Sequence, residues 1–335
     1  MSNNTGLRLF QWGDESGGAA GTAVPATSKI AVRDIEFEET GVVNRPPLAK
    51  GLLVRNPGNE TAISRGTNFH VPDTEVVFNQ LQHWLSMTGL GSPAAGGDHN
   101  PGSSWTFTKS LTTPGTPKTF TIERRLTDGS SPVDHEWAYC FLQKFRLVYQ
   151  VDQPLMFSAD GVARRQQSST LTNSLAMPTI VTNPSPLARI WINGSWNDLG
   201  VSQVTGQVLG ATIEISTGLK PKMTLDGRTD LDFTTFVFDP KEFGVNVEIT
   251  MMMGAQYAAE KVAAMAQDTR GIRLRILNAS YYDLYLDMLL KYTNPDLFSV
   301  GSEDGQDVLT LSLQDATDGS NVFEASAYNT SAVYT

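Results

Sequence analysis

Apolar residues alternate with polar ones along most of the second half of the chain. In ATIEIS, Ala211, Ile213 and Ile215 share one parity and Thr212, Glu214 and Ser216 the other. In GVNVEITMMM, Val245, Val247, Ile249, Met251 and Met253 oppose Asn246, Glu248 and Thr250. A period of two puts successive side chains on opposite faces of a sheet, so these stretches predict half-buried strands. The same period runs through IRLRIL, where Arg273 and Arg275 are the polar set. It continues in YYDLYLDMLLKY, where Tyr282, Leu284, Leu286, Met288 and Leu290 oppose Asp283 and Asp287. VLTLSLQ and VFEASAY complete the series, with DG and GS dipeptides as turns.

Strand patterns also fill the first half: SKIAVRDIEFEET, AKGLLVRN, TFTIERRL and HEWAYCFLQKFRLVYQVD, with ETAISRGTNF as strand or loop. In the longest of these, Trp137, Tyr139, Phe141, Phe145, Leu147, Tyr149 and Val151 keep one parity. Two stretches break the alternation. GAQYAAEKVAAMAQDTRG, bounded by Gly254 and Gly271 and rich in Ala, Glu, Lys and Met, predicts a helix. Tyr257, Lys261, Ala264 and Asp268 fall on one of its sides and Ala258, Val262 and Met265 on another. That narrow apolar stripe suits packing against a sheet while the other side meets solvent or a neighbouring chain. DTEVVFNQLQHWLSMTG predicts the other helix, starting near Asp73 with Asp73 or Thr74 as cap. Strands, one helix and more strands thus occur twice, which predicts an internal duplication in a mainly β protein. The expected organisation is an N-terminal arm over 1–26, a first β domain over 27–165, a Ser/Thr/Asn/Pro-rich linker over 166–187 and a second β domain over 188–335. The arm, the loop over 91–104 and the C-terminal NTSAVYT read as too polar and irregular for core.

Composition adds limits. The chain has 335 residues, 40% hydrophobic and 18% charged, which fits a large folded core. No apolar run spans a bilayer and the polar N-terminus is not a signal peptide, so no membrane association is expected. The single Cys140, within WAYCFL, is expected to be buried and structural. The net charge is −10; residues 1–167 hold 15 basic and 16 acidic side chains, the remainder 10 and 19. An acidic half argues against nucleic-acid binding, which draws on Lys and Arg.

Candidate chemistry is sparse. GDESGG (13–18) has one residue too many for a serine-protease nucleophile and no preceding His. GLGSPAAGG follows a helix, where a dinucleotide loop must follow a strand. His70, His83, His99 and His135 lack metal-ligand spacing, and Asp226, Asp230 and Asp232 lack the terminal Glu of a calcium loop. Trp191 and Trp196 fit packing better than a sugar-binding face. No catalytic residue, cofactor site or metal site is assigned, and the chain is not expected to be an enzyme.

ARIWINGSWNDLG leading into GQVLGATIEISTGLKPKMTLDGRTD, followed by DFTTFVFDP, a strand, one helix and further strands, resembles the tail tube proteins of long-tailed bacteriophages. FTIERRL with the aromatic strand after it is similar to the corresponding part of a first such domain. The resemblance implies two tandem β-sandwich or barrel tail-tube domains, each with one flanking helix. It implies trimeric, pseudo-sixfold rings stacked into a tube in the virion, assembled in the host cytoplasm. Implied partners are further copies of the chain, a tape-measure protein, a tail terminator and tail-tip or baseplate proteins, with double-stranded DNA passing the lumen without tight binding. Glu214, Asp230, Asp232 and Glu248 are candidate lumen-facing acids, although the alternation fits an outer face equally well. Tyr257, Lys261 and Asp268 are candidate contacts between neighbouring domains. The alternative is a two-module β-sandwich that binds a receptor or carbohydrate on a phage particle.

Overall fold

The computed structural model describes residues 7–15, 20–44, 61–90, 94–99, 102–127, 132–182, 184–226, 230–278, 282–293, 299–303 and 306–329. They form, in chain order, β1 (Leu7–Asp14), β2 (Ser28–Lys29), β3 (Glu36–Asn44), β4 (Thr61–Glu75), α1 (Phe78–Ser86), β5 (Ala94–His99), β6 (Gly102–Thr108), β7 (Phe120–Thr127), β8 (Pro132–Gln150), β9 (Met156–Ala163) and β10 (Gln167–Ser168). There follow β11 (Ala188–Asn193), β12 (Gln203–Val204), β13 (Val208–Lys222), β14 (Thr235–Met252), α2 (Ala255–Ala266), β15 (Thr269–Asn278), β16 (Tyr282–Tyr292), β17 (Ser299–Glu303), β18 (Gln306–Asp315) and β19 (Phe323–Asn329). The protein is mainly β, with antiparallel pairing throughout the described strands.

One pairing order occurs twice. In the first half it is β2–β1–β7–β8–β9–β4–β3. In the second it is β12–β11–β15–β16–β18–β14–β13. Each helix lies between corresponding strands, α1 after β4 and α2 after β14. The long β8 pairs with β7 through its first part and with β9 through its second; β16 and β17 divide that work, meeting β15 and β18.

Two pairings cross from one half to the other. Lys144 to Gln150 of β8 run opposite Ser216 to Gly210 of β13, and β6 pairs with β19. The first joins the halves into one surface with the order β3–β4–β9–β8–β13–β14–β18–β17. A continuous core lies beneath it, with Trp12, Phe69, Trp84, Phe120, Trp137 and Phe145 from the first half and Ile213, Val247, Leu274, Leu286 and Leu311 from the second.

Several expectations need correction. Residues 7–15 are not an arm: β1 pairs with β7 along eight positions and buries Phe10 and Trp12. Leu171 of the expected linker is buried, and Thr172 bonds Glu123 through its N–H and its hydroxyl, so this part of 166–187 is pinned to the body. The expected loop over 91–104 contributes to the β5–β6 hairpin, whose strand order is supplied by β19 and not by its own alternation. AKGLLVRN lies outside the described residues, as do 1–6, 16–19 and 330–335 of the expected arms.

The first helix begins at Phe78, five residues later than expected. β4 continues to Glu75, which pairs with Met156, and the Thr74 hydroxyl donates to the Pro72 carbonyl, so it does not cap. Val77 occupies the cap position with no side-chain bond. The second helix ends at Ala266, with Gln267 left-handed, and Gly271 lies in β15. Its buried residues are Glu260, Ala263 and Ala264, whereas Val262 and Met265 are 69% and 67% exposed. The apolar stripe read from the sequence therefore faces away from the sheet.

The single parity of β8 fails twice. Trp137, Cys140, Leu142, Phe145, Leu147 and Tyr149 enter the main core, whereas Tyr139 and Phe141 enter a second cluster with Val162, Leu219 and Phe233. Register shifts against β7 and β9 lie at the two crossovers, the first at Tyr139, whose φ is 60°. A bulge inserts one residue and exchanges the faces of the residues beyond it.

Burial changes the titration of a histidine in α1. His83 of α1 packs against Trp12 and Phe120, and desolvation lowers its pKa from 6.5 to about 4, with Asp14 opposing and Lys118 adding to the shift. The folded state therefore resists a proton that the unfolded chain accepts below about pH 6.5. The stabilisation is complete above that pH and falls as pH drops toward 4, by about 3 kcal/mol. Urea unfolding of wild type and His83→Leu between about pH 7 and pH 4 checks this. The stability difference should narrow on acidification; a difference independent of pH removes the assignment.

Candidate functional site

The side of the eight-strand surface opposite the main core is a polar trough. Pairing sets its composition, because directly opposed residues share a face. His70, Asp160, Lys144 and Ser216 form one such row; Arg146, Glu214 and Asn246 form another; Thr212, Glu248 and Ser312 form a third. Two shallow depressions of about 720 and 590 Å³ run across it, sharing Thr212 and Glu248 in their linings. Glu36 and Glu38 of β3, opposite His70 and Asn68, continue the face to its edge.

The four candidate lumen acids do not share this trough. Glu214 and Glu248 stand on it. Asp232 is buried near the end of the β13–β14 hairpin, where its carboxylate accepts from the Arg165 N–H at 3.1 Å and sits 3.6 Å from that guanidinium. Asp230, beside it, accepts the Asp232 N–H. Burial raises the Asp232 pKa, with Arg165 opposing. Nor is the trough purely acidic: Lys144 meets Glu214 at 2.9 Å and His70 meets Asp160 at 2.6 Å, with Arg146 beside them. A face of closely mixed charge offers phosphates neither a basic track nor a deep pocket.

Of the helix candidates, Tyr257 is half-buried against the core, while Lys261 and Asp268 are exposed. The helix is fixed from beneath by Glu260. Its carboxylate accepts from Arg270 Nε at 3.0 Å, from Gln256 Nε2 at 2.8 Å and from the Tyr292 hydroxyl. Burial raises the Tyr292 pKa, reinforced by Glu260.

Two more buried carboxylates escape a reading of the sequence. Glu15, inside GDESGG, accepts the Gly21 N–H and the Thr119 hydroxyl on Oε2, both at 2.7 Å, and the Thr121 hydroxyl and Tyr139 N–H on Oε1, both at 2.9 Å. Glu123 takes Gln11 Nε2, the Ala26 N–H and both donors of Thr172. Each binds separate segments of the first half together, which is a structural task. Cys140 is buried and its thiol pKa is raised by desolvation, as a packing residue requires.

On the outer side of the second half, Arg273 forms a bidentate pair with Asp287 at 2.6 and 2.7 Å, and Arg275 reaches Asp283 at 2.8 Å and stacks over Tyr285. Bonding to Asp287 holds the Arg273 pKa above its usual range. The alternation that places both arginines and both aspartates on one face is the signal that finds this ladder. Asp226 accepts from the Thr234 hydroxyl, and the described residues gather no group of three metal-ligating side chains. No described helix is long and apolar enough to cross a membrane.

No protein-family model matches the chain, and no curated protein matches it.

Proposed function

We propose that this chain is a structural subunit that joins copies of itself edge to edge into closed rings, and that the rings stack into the tail tube of a long-tailed bacteriophage. One observation carries the reading: an order of seven paired strands occurs twice, and the two copies are already joined edge to edge through β8 and β13. A join that works once inside the chain can be repeated between chains, and a closed circle leaves no reactive sheet edge. Three chains supply the six units of a pseudo-sixfold ring. The trough is the lumen lining in this reading, with Glu214 and Glu248 on it, and its mixed charge lets DNA slide without adhering. Tape-measure, terminator and tail-tip proteins are the further partners of such a tube.

Electron microscopy of the purified protein tests the proposal. Hollow tubes of stacked threefold rings are expected, and a helical reconstruction should place Glu248 on the lumen side. Dispersed monomers under all conditions overturn the tube; tubes with Glu248 facing outward overturn the lining.

A further inference from the structure

We infer that the open edge of β17 receives β3 of a second copy, antiparallel, with Ser299 opposite Glu38 of the partner subunit. The inference rests on the ring reading but adds which edges meet and in what register.

The internal repeat supplies the register. Met156 and Val308 hold equivalent places, because each pairs with the last residue of the strand preceding a helix, Glu75 and Met252. Counting along β9 and β18 from there makes Ser158 equivalent to Thr310 and Val162 equivalent to Gln314. Ser158 pairs with Arg146 and Thr310 with Ser299, so Arg146 and Ser299 correspond. Val162 pairs with Asn68 and Gln314 with Asn246; these pair in turn with Glu38 and Glu214. Glu38 therefore stands where Glu214 does, and Phe37, packed on the core, stands where Ile213 does. Within the chain, Arg146 lies opposite Glu214. Between chains, the same join sets Ser299 opposite Glu38.

The two edges concerned are open where their equivalents are covered. Among the described residues, β3 pairs with β4 and β17 with β18, and neither has a strand on its other side. Their counterparts β13 and β8 cover one another along seven positions. An open strand edge is a template for another chain, and a heterologous join of this kind closes into a ring or grows as a fibre.

The helices make a second, independent argument. α1 sits at the junction of the halves, packed on β6 and β19 with Phe78 edge-on to Tyr282, and its apolar residues are buried. The equivalent α2 has no half beyond it and leaves Val262 and Met265 in solvent. A second copy joined at β17 supplies what α2 lacks.

The experiment is cysteine cross-linking of the full chain, in a background where the native thiol is buried. A Ser299→Cys, Glu38→Cys variant is compared with Ser299→Cys, Glu36→Cys, which is two residues out of register on the same face. Directly opposed Cβ atoms lie about 4.5–5.5 Å apart and the diagonal pair about 7–8 Å, beyond disulfide reach. Mild oxidation should give the in-register variant a covalent ladder ending at a closed trimer, at least about tenfold more than the shifted one. Circular dichroism confirms that both variants fold. Cross-linked rings that never stack into tubes support this join and overturn the tube. Tubes by microscopy without the in-register cross-link overturn this join and leave the tube standing. Equal cross-linking of both variants overturns the register, and folded monomers without cross-links overturn join and ring alike.

Discussion

Replacing Glu15 with alanine should lower the unfolding free energy by about 3–5 kcal/mol, one of the two largest effects expected from a change in this chain. Four donors converge on its carboxylate: two threonine hydroxyls and the backbone N–H groups of Gly21 and Tyr139. Alanine leaves all four without an acceptor in a site closed to water. The hydroxyls can rotate toward other acceptors; the N–H groups cannot. Tyr139 adds to the loss because its left-handed backbone, φ 60°, is costly for an aromatic residue and is held by that bond. Glutamine should restore only part of the stability. The two backbone donors lie on different carboxylate oxygens, so an amide must turn its NH₂ toward one of them whichever way it sits. Urea denaturation gives the check: the midpoint should fall from wild type through Glu15→Gln to Glu15→Ala, with the slope unchanged. A Glu15→Ala midpoint within experimental error of wild type removes the keystone role.

The elements most legible in the sequence are those whose own alternation decides their face. In β13, β14 and β15 each apolar position of the alternating set is buried, because both neighbouring strands continue the same register; Met253, one residue past the end of β14, is exposed. The duplication is visible for the same reason, as a repeated order of periods. Illegible features depend on partners distant in the chain. AAGGDH has no strand signature of its own, and β5–β6 forms as a hairpin carried by β19, far along the chain. The reversals in β8 are hidden because Tyr139, Cys140, Phe141 and Leu142 are all apolar, so a bulge leaves no polar mark. In TEVVF two β-branched valines follow a strand that already has a place beside β9, and tertiary pairing sets the helix start over local propensity. Glu15 is hidden because its short polar, glycine-rich surroundings read as surface. The trough is half legible: alternation puts Glu214 and Glu248 on a polar face, but Lys144 and Arg146 come beside them only through the join of β8 to β13. Asp232 is misplaced with them because the hairpin end folds back onto Arg164 and Arg165, a long-range contact that periodicity does not encode.

Helix α2 is where a solitary chain and the proposed ring differ most, and a double substitution there should separate them. Val262→Asp with Met265→Asp is expected to leave the folded chain within about 0.5 kcal/mol of wild type, since both side chains stand in solvent and Glu260, Ala263 and Ala264 hold the inner face. Assembly should respond far more strongly. Burying a large aliphatic side chain contributes about 1.5–3 kcal/mol, so losing two weakens each join by about 3–6 kcal/mol before the cost of desolvating two carboxylates. That corresponds to roughly a hundredfold to ten-thousandfold higher concentration for association. In the proposed closed ring the loss repeats at every join, so the transition from rings to monomers should be abrupt. Sedimentation across a concentration series measures it. Rings forming at wild-type concentration in the double variant would place α2 on the solvent side of the assembly. The open edges of β3 and β17 would then have to carry the join unaided, through backbone bonds that specify register but bury little apolar area.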